Sequence, residues 1–151
     1  MNIFVVDTNL LFSAVRNPHS RIARVLLNTT ALGVKLFAPT YTLEELVDHL
    51  PRLVAKSSLT ARQATHNLEQ LLLNIEIVED AAIPIPYWMS AARLTYGVDE
   101  DDTAFVALTE SLDELLWTGD RKLYEGLRAK GYQKVVSFTE VKKLLSLPAD
   151  F

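Results

Sequence analysis

The sequence predicts an α/β fold in which a mainly parallel sheet is covered by helices on both faces. Short apolar runs of strand type alternate along the chain with longer segments of helical periodicity, which is the pattern of consecutive βαβ units. No repeat or low-complexity tract interrupts this alternation, and a chain of 151 residues has the length of one domain. We therefore expect a single domain spanning residues 1–151.

Three strands are predicted in the first half of the chain. The apolar run Asn2–Val6 ends abruptly at the polar turn Asp7–Asn9, and Lys35–Ala38 is a second short run closed by Pro39. Ile75–Val78 has the composition of a third strand. All three are short and largely apolar, as expected for strands that are buried on both faces.

Three helices are predicted between and around these strands. The first covers about Ser20–Thr29. Thr42 has the position of a helix N-cap, and Glu45 follows three residues later as the matching acid of a capping box. The pattern behind them is interrupted near Pro51, and Thr60 begins the third helix.

The second half of the chain contains two further strands and four further helices. In chain order they are helix Tyr87–Tyr96, helix Thr103–Leu112, strand Glu114–Trp117, a helix that runs to Lys130, strand Lys134–Ser137 and helix Thr139–Leu147.

Acidic residues follow two of the predicted strands. Asp7 comes directly after the first strand, and Asp120 follows the fourth in the segment Thr118–Asp120. Parallel sheets bind ligands at the carboxyl ends of their strands, where the strand order reverses. Each acid also has the position of a helix N-cap, which is the simpler interpretation of either one alone.

A run of four acids, Asp99–Asp102, precedes the helix that begins near Thr103. Acids at a helix N-terminus are favoured by the helix dipole, so one or two of them need no further role. We expect Asp102 to face inward, because Phe105 and Val106 lie three and four residues later on the same helical face. Four acids exceed what capping requires.

The acids together have the composition of a site for hard divalent cations. Mg²⁺ and Mn²⁺ prefer oxygen ligands, and such ions activate water and offset charge on the leaving oxygen in phosphodiester hydrolysis. The chain has no cysteine, and its three histidines, His19, His49 and His66, lack the spacing of metal ligands. From spacing alone, a set of helix caps remains the competing interpretation.

Composition limits the other classes of function. No apolar stretch is long enough to span a bilayer, and Asp7 interrupts the only N-terminal apolar run, so we expect no membrane association and a cytoplasmic location. The net charge of −4 counts against non-specific binding to nucleic acid, which usually needs a basic surplus. Bound cations in an acidic pocket would reverse that sign locally.

Four motifs in the same order resemble the PIN-domain nuclease family, including its VapC-type toxin ribonucleases, from Asn2 to about Ser137. They are Val-Val-Asp-Thr-Asn with Asp7, Ala-Pro-Thr-Tyr-Thr-Leu-Glu-Glu-Leu with Glu45, Asp-Asp-Thr-Ala-Phe-Val-Ala-Leu with Asp102, and Leu-Leu-Trp-Thr-Gly-Asp-Arg-Lys-Leu with Asp120.

The resemblance implies a three-layer α/β/α fold with a five-stranded parallel sheet of order 3-2-1-4-5. Family members are typically Mg²⁺- or Mn²⁺-dependent endoribonucleases, often dimeric, and many are toxins paired with an antitoxin protein. The resemblance thus implies an RNA substrate, a possible antitoxin partner and a homodimer for this chain.

The resemblance also assigns the site. Asp7, Glu45, Asp102 and Asp120 would be the catalytic metal ligands, with Asn9 and Thr118 supporting them. Glu44, Asp99 and Asp101 are near enough in sequence to replace an assigned ligand. Positive charge for the substrate backbone could come from basic residues that flank the first and fourth strand ends, namely Arg16, Arg21, Arg24, Arg121 and Lys122.

Two alternatives to a nuclease remain at this point. The first is a PIN-like fold without activity that serves as a binding or scaffold protein. The second is a Mg²⁺-dependent receiver or phosphotransfer module on a similar sheet. Such modules tend to have paired acids at the end of the first strand, where this chain has Asn9, and they would leave Glu45 and Asp102 without a role.

Overall fold

Five parallel strands form one central sheet in the computed structural model, which describes every residue from Met1 to Phe151. The strand order is β3-β2-β1-β4-β5, so the predicted fold class and the strand order implied by the family resemblance are confirmed. The strands are β1 (Asn2–Val6), β2 (Val34–Pro39), β3 (Ile75–Val78), β4 (Leu115–Trp117) and β5 (Val135–Val136).

Nine α-helices surround the sheet. They are α1 (Thr8–Arg16), α2 (Arg21–Leu27), α3 (Thr29–Leu32), α4 (Tyr41–Ala55), α5 (Ala61–Leu72), α6 (Ile85–Thr95), α7 (Thr103–Leu112), α8 (Arg121–Ala129) and α9 (Phe138–Leu144). Two 3₁₀ turns, Asp80–Ala82 and Glu100–Asp102, precede α6 and α7. None of the helices combines the length and the apolar character that a bilayer-spanning segment requires.

The central strand β1 separates two cores because its side chains alternate between the faces of the sheet. Phe4 and Val6 belong to the larger core, under α1, α2, α4, α5 and α9, whereas Val5 belongs to the core under α6, α7 and α8. All three side chains are fully buried. This alternation of side chains on a strand places helices on both sides of the sheet and gives the three-layer architecture.

The direction in which successive strands are added to the sheet reverses at β1. Strand β2 lies on one side of β1 and β4 on the other, with Val5 opposite both Phe37 and Leu116. The connection from β1 to β2 crosses one face of the sheet, and the later strand β4 is added at the opposite edge of β1. The carboxyl ends of β1 and β4 therefore form the crevice at which open parallel sheets bind ligands.

The structure corrects the sequence prediction in the first βα connection. We predicted a turn at Asp7–Asn9 and a first helix at about Ser20–Thr29, but an earlier helix, α1, begins at Thr8 directly after the strand and extends to Arg16. The alternative interpretation of Asp7 as a helix N-cap is confirmed. The Asp7 carboxylate accepts a hydrogen bond from the Asn9 amide, so the polar residues of the expected turn start a helix instead.

The predicted capping box at Thr42 is wrong. Helix α4 begins at Tyr41, with Thr40 at its N-cap, and Thr42 is a fully buried residue inside the first turn. The predicted interruption at Pro51 is also absent, because α4 continues through the proline to Ala55. These corrections free Glu45 from a capping role.

Candidate metal centre

Asp7 and Thr118 lie side by side at the carboxyl ends of β1 and β4. The pairing of Val6 with Trp117 is the last in this part of the sheet, and the Asp7 amide then donates a hydrogen bond of 3.1 Å to the Trp117 carbonyl. Asp7 is only 2% exposed and Thr118 is equally buried. The two strand ends thus bring a carboxylate and a hydroxyl together below the surface of the crevice.

The hydroxyl of Thr118 links the two strand-end acids. Its Oγ1 donates a hydrogen bond of 2.6 Å to Oδ2 of Asp7 and accepts one of 2.9 Å from the backbone amide of Asp120. A threonine side chain in a strand-to-helix connection therefore fixes the distance between the Asp7 carboxylate and the Asp120 backbone.

Both strand-end acids are also helix N-caps. Oδ1 of Asp120 accepts hydrogen bonds of 2.9 and 3.3 Å from the amides of Lys122 and Leu123, and Oδ1 of Asp7 accepts one of 3.4 Å from Asn9. The second carboxylate oxygen of Asp120 has no donor within the protein. Capping and metal binding are therefore compatible roles for Asp120, because they use different oxygens.

Three aspartates form the tightest acidic cluster of the chain. Asp99, Asp102 and Asp120 each offer a carboxylate oxygen within 4.8 Å of the other two. Asp102 is buried, as its position before Phe105 and Val106 predicted. Sequence reasoning considered Asp99 only as a replacement for an assigned ligand, whereas the structure includes it in the cluster together with Asp102.

The acid run before α7 divides into inward and outward residues. The 3₁₀ turn Glu100–Asp102 leaves Glu100 and Asp101 exposed, while Asp99 is half-buried and Asp102 is buried. The Asp99 carboxylate accepts a 3.1 Å hydrogen bond from the Asp101 amide, which fixes the turn. The turn places Asp99 and Asp102 on one side, and the sequence contained no signal for it.

Glu45 reaches the centre from α4 and is held by Thr8. The hydroxyl of Thr8 donates a hydrogen bond of 2.7 Å to Oε1 of Glu45, while the neighbouring Glu44 is exposed. Thr8 was missed by sequence reasoning, because its role depends on α1 beginning directly after β1. Thr118 links Asp7 to Asp120 of the aspartate cluster, and Thr8, the residue after Asp7, binds Glu45. The charges of Asp7 and Glu45 contribute to the raised pKa of Asp102.

The carboxyl groups of the centre destabilise one another's charge. Burial raises the pKa of Asp7, a change partly offset by the Thr118 hydrogen bond, and burial likewise raises the pKa of Glu45. Burial, together with the charges of Asp7 and Asp99, raises the pKa of Asp102 to about 9. Such a site needs either protons or cations to offset its negative charge.

The donor set fits a hard divalent cation. Every inward side chain of the centre ends in oxygen, as Mg²⁺ and Mn²⁺ prefer, and no nitrogen or sulfur ligand is part of the cluster. Burial and the neighbouring carboxylates raise the pKa of Asp102, and a bound cation would offset the negative charge of these groups.

Two of the predicted basic residues, Arg16 and Lys122, line surface depressions that also contain acids of the centre. Arg16 lines a groove that also contains Glu45. Lys122 lines a shallow depression of about 350 Å³ that includes Asp99. Arg121 is exposed and forms an ion pair of 2.8 Å with Glu125 on its own helix.

Arg21 and Arg24 contact the C-terminal residues instead. Arg21 donates hydrogen bonds to the carbonyls of Ala149 and Phe151, and the guanidinium of Arg24 lies 4.5 Å from the centre of the Phe151 ring. The structure thus separates these two arginines from the acidic centre by their contacts.

A family model described as PIN domain matches residues 5–139 of the chain. No curated protein sequence matches significantly.

Among solved structures, PAE2754 of Pyrobaculum aerophilum is similar, with a TM-score of 0.69 and 18% identity over 97% of this chain and 91% of that one. VapBC2 of Rickettsia felis, bound to a DNA fragment from its promoter, has a TM-score of 0.62 and 18% identity over 89% of this chain and 96% of that one. DNA-bound VapBC of Salmonella typhimurium has a TM-score of 0.64 and 17% identity over 91% and 99%.

Proposed function

The chain belongs to the PIN domain family, and on this basis we propose that it is an endoribonuclease that cuts single-stranded RNA with the help of Mg²⁺ or Mn²⁺. The observation that carries the proposal is the meeting of Asp99, Asp102 and Asp120 in one cluster, with Asp7 and Glu45 beside it. These residues come from four separate parts of the chain, which helix capping alone does not explain.

In this proposal the acids hold the cation and the hydroxyl groups hold the acids. Asp7, Glu45, Asp102 and Asp120 are the ligands implied by the family motifs, and Asp99 joins them through its place in the cluster. When bound, a divalent cation acidifies a coordinated water and offsets the charge that develops on a phosphodiester as it is cut.

The hydroxyl groups of Thr118 and Thr8 keep the ligands oriented. Thr118 donates to one carboxylate oxygen of Asp7, and Thr8 donates to one carboxylate oxygen of Glu45. Hydrogen bonds of this kind typically account for a factor of about 10–100 in metal affinity or activity. Asn9 supports the same site through its backbone amide and its place at the mouth of the groove.

We further propose that the protein is the toxin of a toxin–antitoxin pair and a cytoplasmic homodimer. The support for a partner protein is the similarity of its fold to the VapBC structures of Rickettsia felis, Salmonella typhimurium and nontypeable Haemophilus influenzae. Co-expression with the product of an adjacent small gene, followed by co-purification, tests this part of the proposal.

The decisive experiment is cleavage of a mixed-sequence, single-stranded RNA by the wild type and by Asp7→Asn, with Mn²⁺, Mg²⁺ or EDTA. We expect cleavage that requires the metal and is lost in the variant. The side-chain carbonyl oxygen of asparagine still accepts the helix-capping hydrogen bond, so the variant removes the charge while preserving the fold. A single-stranded DNA of the same sequence, run in parallel, identifies the preferred nucleic acid.

Two other outcomes would change the assignment. Cleavage that Asp7→Asn leaves intact contradicts the proposed site. A protein that neither cleaves nor binds Mn²⁺ in calorimetry would be a binding or scaffold member of the family.

A further inference from the structure

A groove of about 620 Å³ leads away from the acidic centre between α1 and α4. We call it the α1/α4 groove; Asn9, Glu45 and Gly119 lie at its acidic end, and Arg16, Arg52 and Lys56 line the remainder. Both helices begin at the carboxyl edge of the sheet, so positions later in each helix lie farther from the centre. Glu45 and the C-cap residue Lys56 are eleven positions apart, which corresponds to about 16 Å along the helix axis.

The charge of the α1/α4 groove is opposite to that of the whole chain. Arg16, Arg52 and Lys56 are exposed, and none forms an ion pair with an acid, although Asp48 lies one turn before Arg52. Glu45 is the only acid among the lining residues. In a protein with a net charge of −4, three unpaired cations on one groove form a local site for anions.

Apolar side chains form part of the wall of the same groove. Phe12, Ile22 and Leu53 line it, and the Phe12 ring meets the His49 ring edge-on, with 6.1 Å between their centres. Proteins that bind single-stranded nucleic acids commonly combine cationic side chains, which contact the phosphates, with aromatic side chains, on which the bases stack.

We propose that the α1/α4 groove holds the RNA strand on one side of the bond that is cut, with Arg16, Arg52 and Lys56 contacting its phosphates. The inference rests on the proposed nuclease function and adds the path of the substrate. An acidic protein segment would meet the same cations. RNA is favoured because the groove opens at Glu45 and Asn9 onto the acidic centre, through which a strand that is being cut has to continue.

The test is a binding measurement in the Asp7→Asn background, where cleavage does not interfere. Anisotropy of a fluorescent mixed-sequence RNA is measured against salt concentration for that protein and for the same protein carrying Arg52→Gln and Lys56→Gln. We expect at least tenfold weaker binding at low salt. We also expect the slope of log K against log salt to fall by about 1.4, because each phosphate contact on a single strand contributes about 0.7.

The matched control carries Arg62→Gln and Lys143→Gln, which remove the same two charges at exposed positions outside the groove. We expect its RNA affinity and salt slope to stay within twofold of the parent. Equal loss in both double variants, or no loss in the groove variant, would overturn the inference. Binding of poly-glutamate that depends on the groove cations, while RNA binding does not, would overturn it in favour of an acidic protein partner.

The binding experiment tests the substrate path independently of whether the protein cleaves RNA. Selective loss of RNA binding in the groove variant supports the substrate path even if no cleavage conditions are found. Metal-dependent cleavage by the wild type, together with unchanged RNA affinity in the groove variant, would refute the substrate path and leave the nuclease assignment in place.

Discussion

At the residue scale, Thr118 is the side chain on which the geometry of the centre depends most directly. Its hydroxyl donates to Asp7 and accepts from the Asp120 amide, so removing it frees both acids at once. We expect Thr118→Val to lower kcat/KM for RNA cleavage about 10–100-fold, the usual effect of losing a ligand-orienting hydrogen bond. Thr118→Ser keeps the hydroxyl and should retain most activity; equal loss in both variants would contradict the assignment.

Adjacent acids provide matched tests of the inward and outward residues. Asp102→Asn should reduce cleavage at least about 100-fold, whereas Asp101→Asn, which neutralises an exposed neighbour, should change it less than about threefold. Glu45→Gln and Glu44→Gln form a second pair of the same kind. Steady-state cleavage rates at saturating Mn²⁺ measure both pairs, and loss of activity in an outward variant would show that the ligand register is wrong.

The raised pKa of Asp102 makes the metal-free protein sensitive to pH. The folded protein keeps a proton on Asp102 up to about pH 9, while the unfolded chain releases it near the ordinary value of 3.8. Because the folded state binds more protons between these values, stability falls as pH rises through this window. In EDTA, we expect a lower Tm at pH 8.5 than at pH 5.5.

The same experiment on Asp102→Asn isolates this residue from the other titrating groups. The variant has no carboxyl to deprotonate at this position, so its Tm should depend less on pH and should exceed that of the wild type at pH 8.5. A wild type and variant with parallel pH profiles would show that Asp102 does not titrate in this range.

At this scale the sequence predicted a site residue where an acid follows a strand, but not where the conformation of a turn determines the position of the side chain. Asp7 and Asp120 could be found because the apolar runs before them end abruptly. The place of Asp99 in the cluster depends on the 3₁₀ turn, and the role of Thr8 depends on where α1 begins. Neither the 3₁₀ turn nor the start of α1 could be predicted from the periodicity of apolar residues.

At the scale of elements, Gly126 of α8 packs closely against the segment that leads into the acidic run Asp99–Asp102. A Cβ at Gly126 would overlap the side chain of Val98, the residue before Asp99. Gly126→Ala should gain up to about 1 kcal/mol of helix propensity but lose roughly 1–3 kcal/mol through overpacking. We expect a lower Tm, and lower cleavage activity because Asp99 shifts with Val98.

Restoring the space gives the control. Val98→Ala in the Gly126→Ala protein removes the methyl groups that the new Cβ would meet, so part of the lost activity should return. A Gly126→Ala protein with unchanged Tm and activity would show that the contact adapts without moving Asp99.

The errors in predicting elements also occurred next to the site. Helix α1 follows β1 without a loop, so a polar segment that is typical of a turn is its first turn instead. Thr42 and Glu45 have the spacing of a capping box, but tertiary contacts bury Thr42 and direct Glu45 to Thr8. Local capping rules were overridden where side chains serve the centre rather than their own helix.

At the scale of the whole molecule, binding of a cation should stabilise the fold, because only the folded chain brings the acids together. At a Mn²⁺ concentration 100 times its Kd, linkage gives about 2.7 kcal/mol. For a chain of this length, that corresponds to a rise in Tm of roughly 5–10 °C. Differential scanning calorimetry with and without Mn²⁺ measures it, and an equal rise in Asp102→Asn would place the cation elsewhere.

The global architecture was predicted more completely than the site. Alternating strands and helices identified the parallel sheet, and the order of the four motifs implied the arrangement 3-2-1-4-5. The net charge of −4 is an average over the molecule and does not describe the distribution of charge at its surface. Several of its acids meet in the crevice, and three of its unpaired cations line the adjacent groove.

The double role of Asp7 and Asp120 as helix caps and centre acids has an evolutionary consequence. Asparagine caps helices as well as aspartate does, so replacing either acid by asparagine removes charge from the crevice and leaves the start of α1 or α8 intact. Aspartate and asparagine codons differ by a single base. One transition mutation in either codon therefore removes a charge from the crevice while the helix that the residue caps keeps its start.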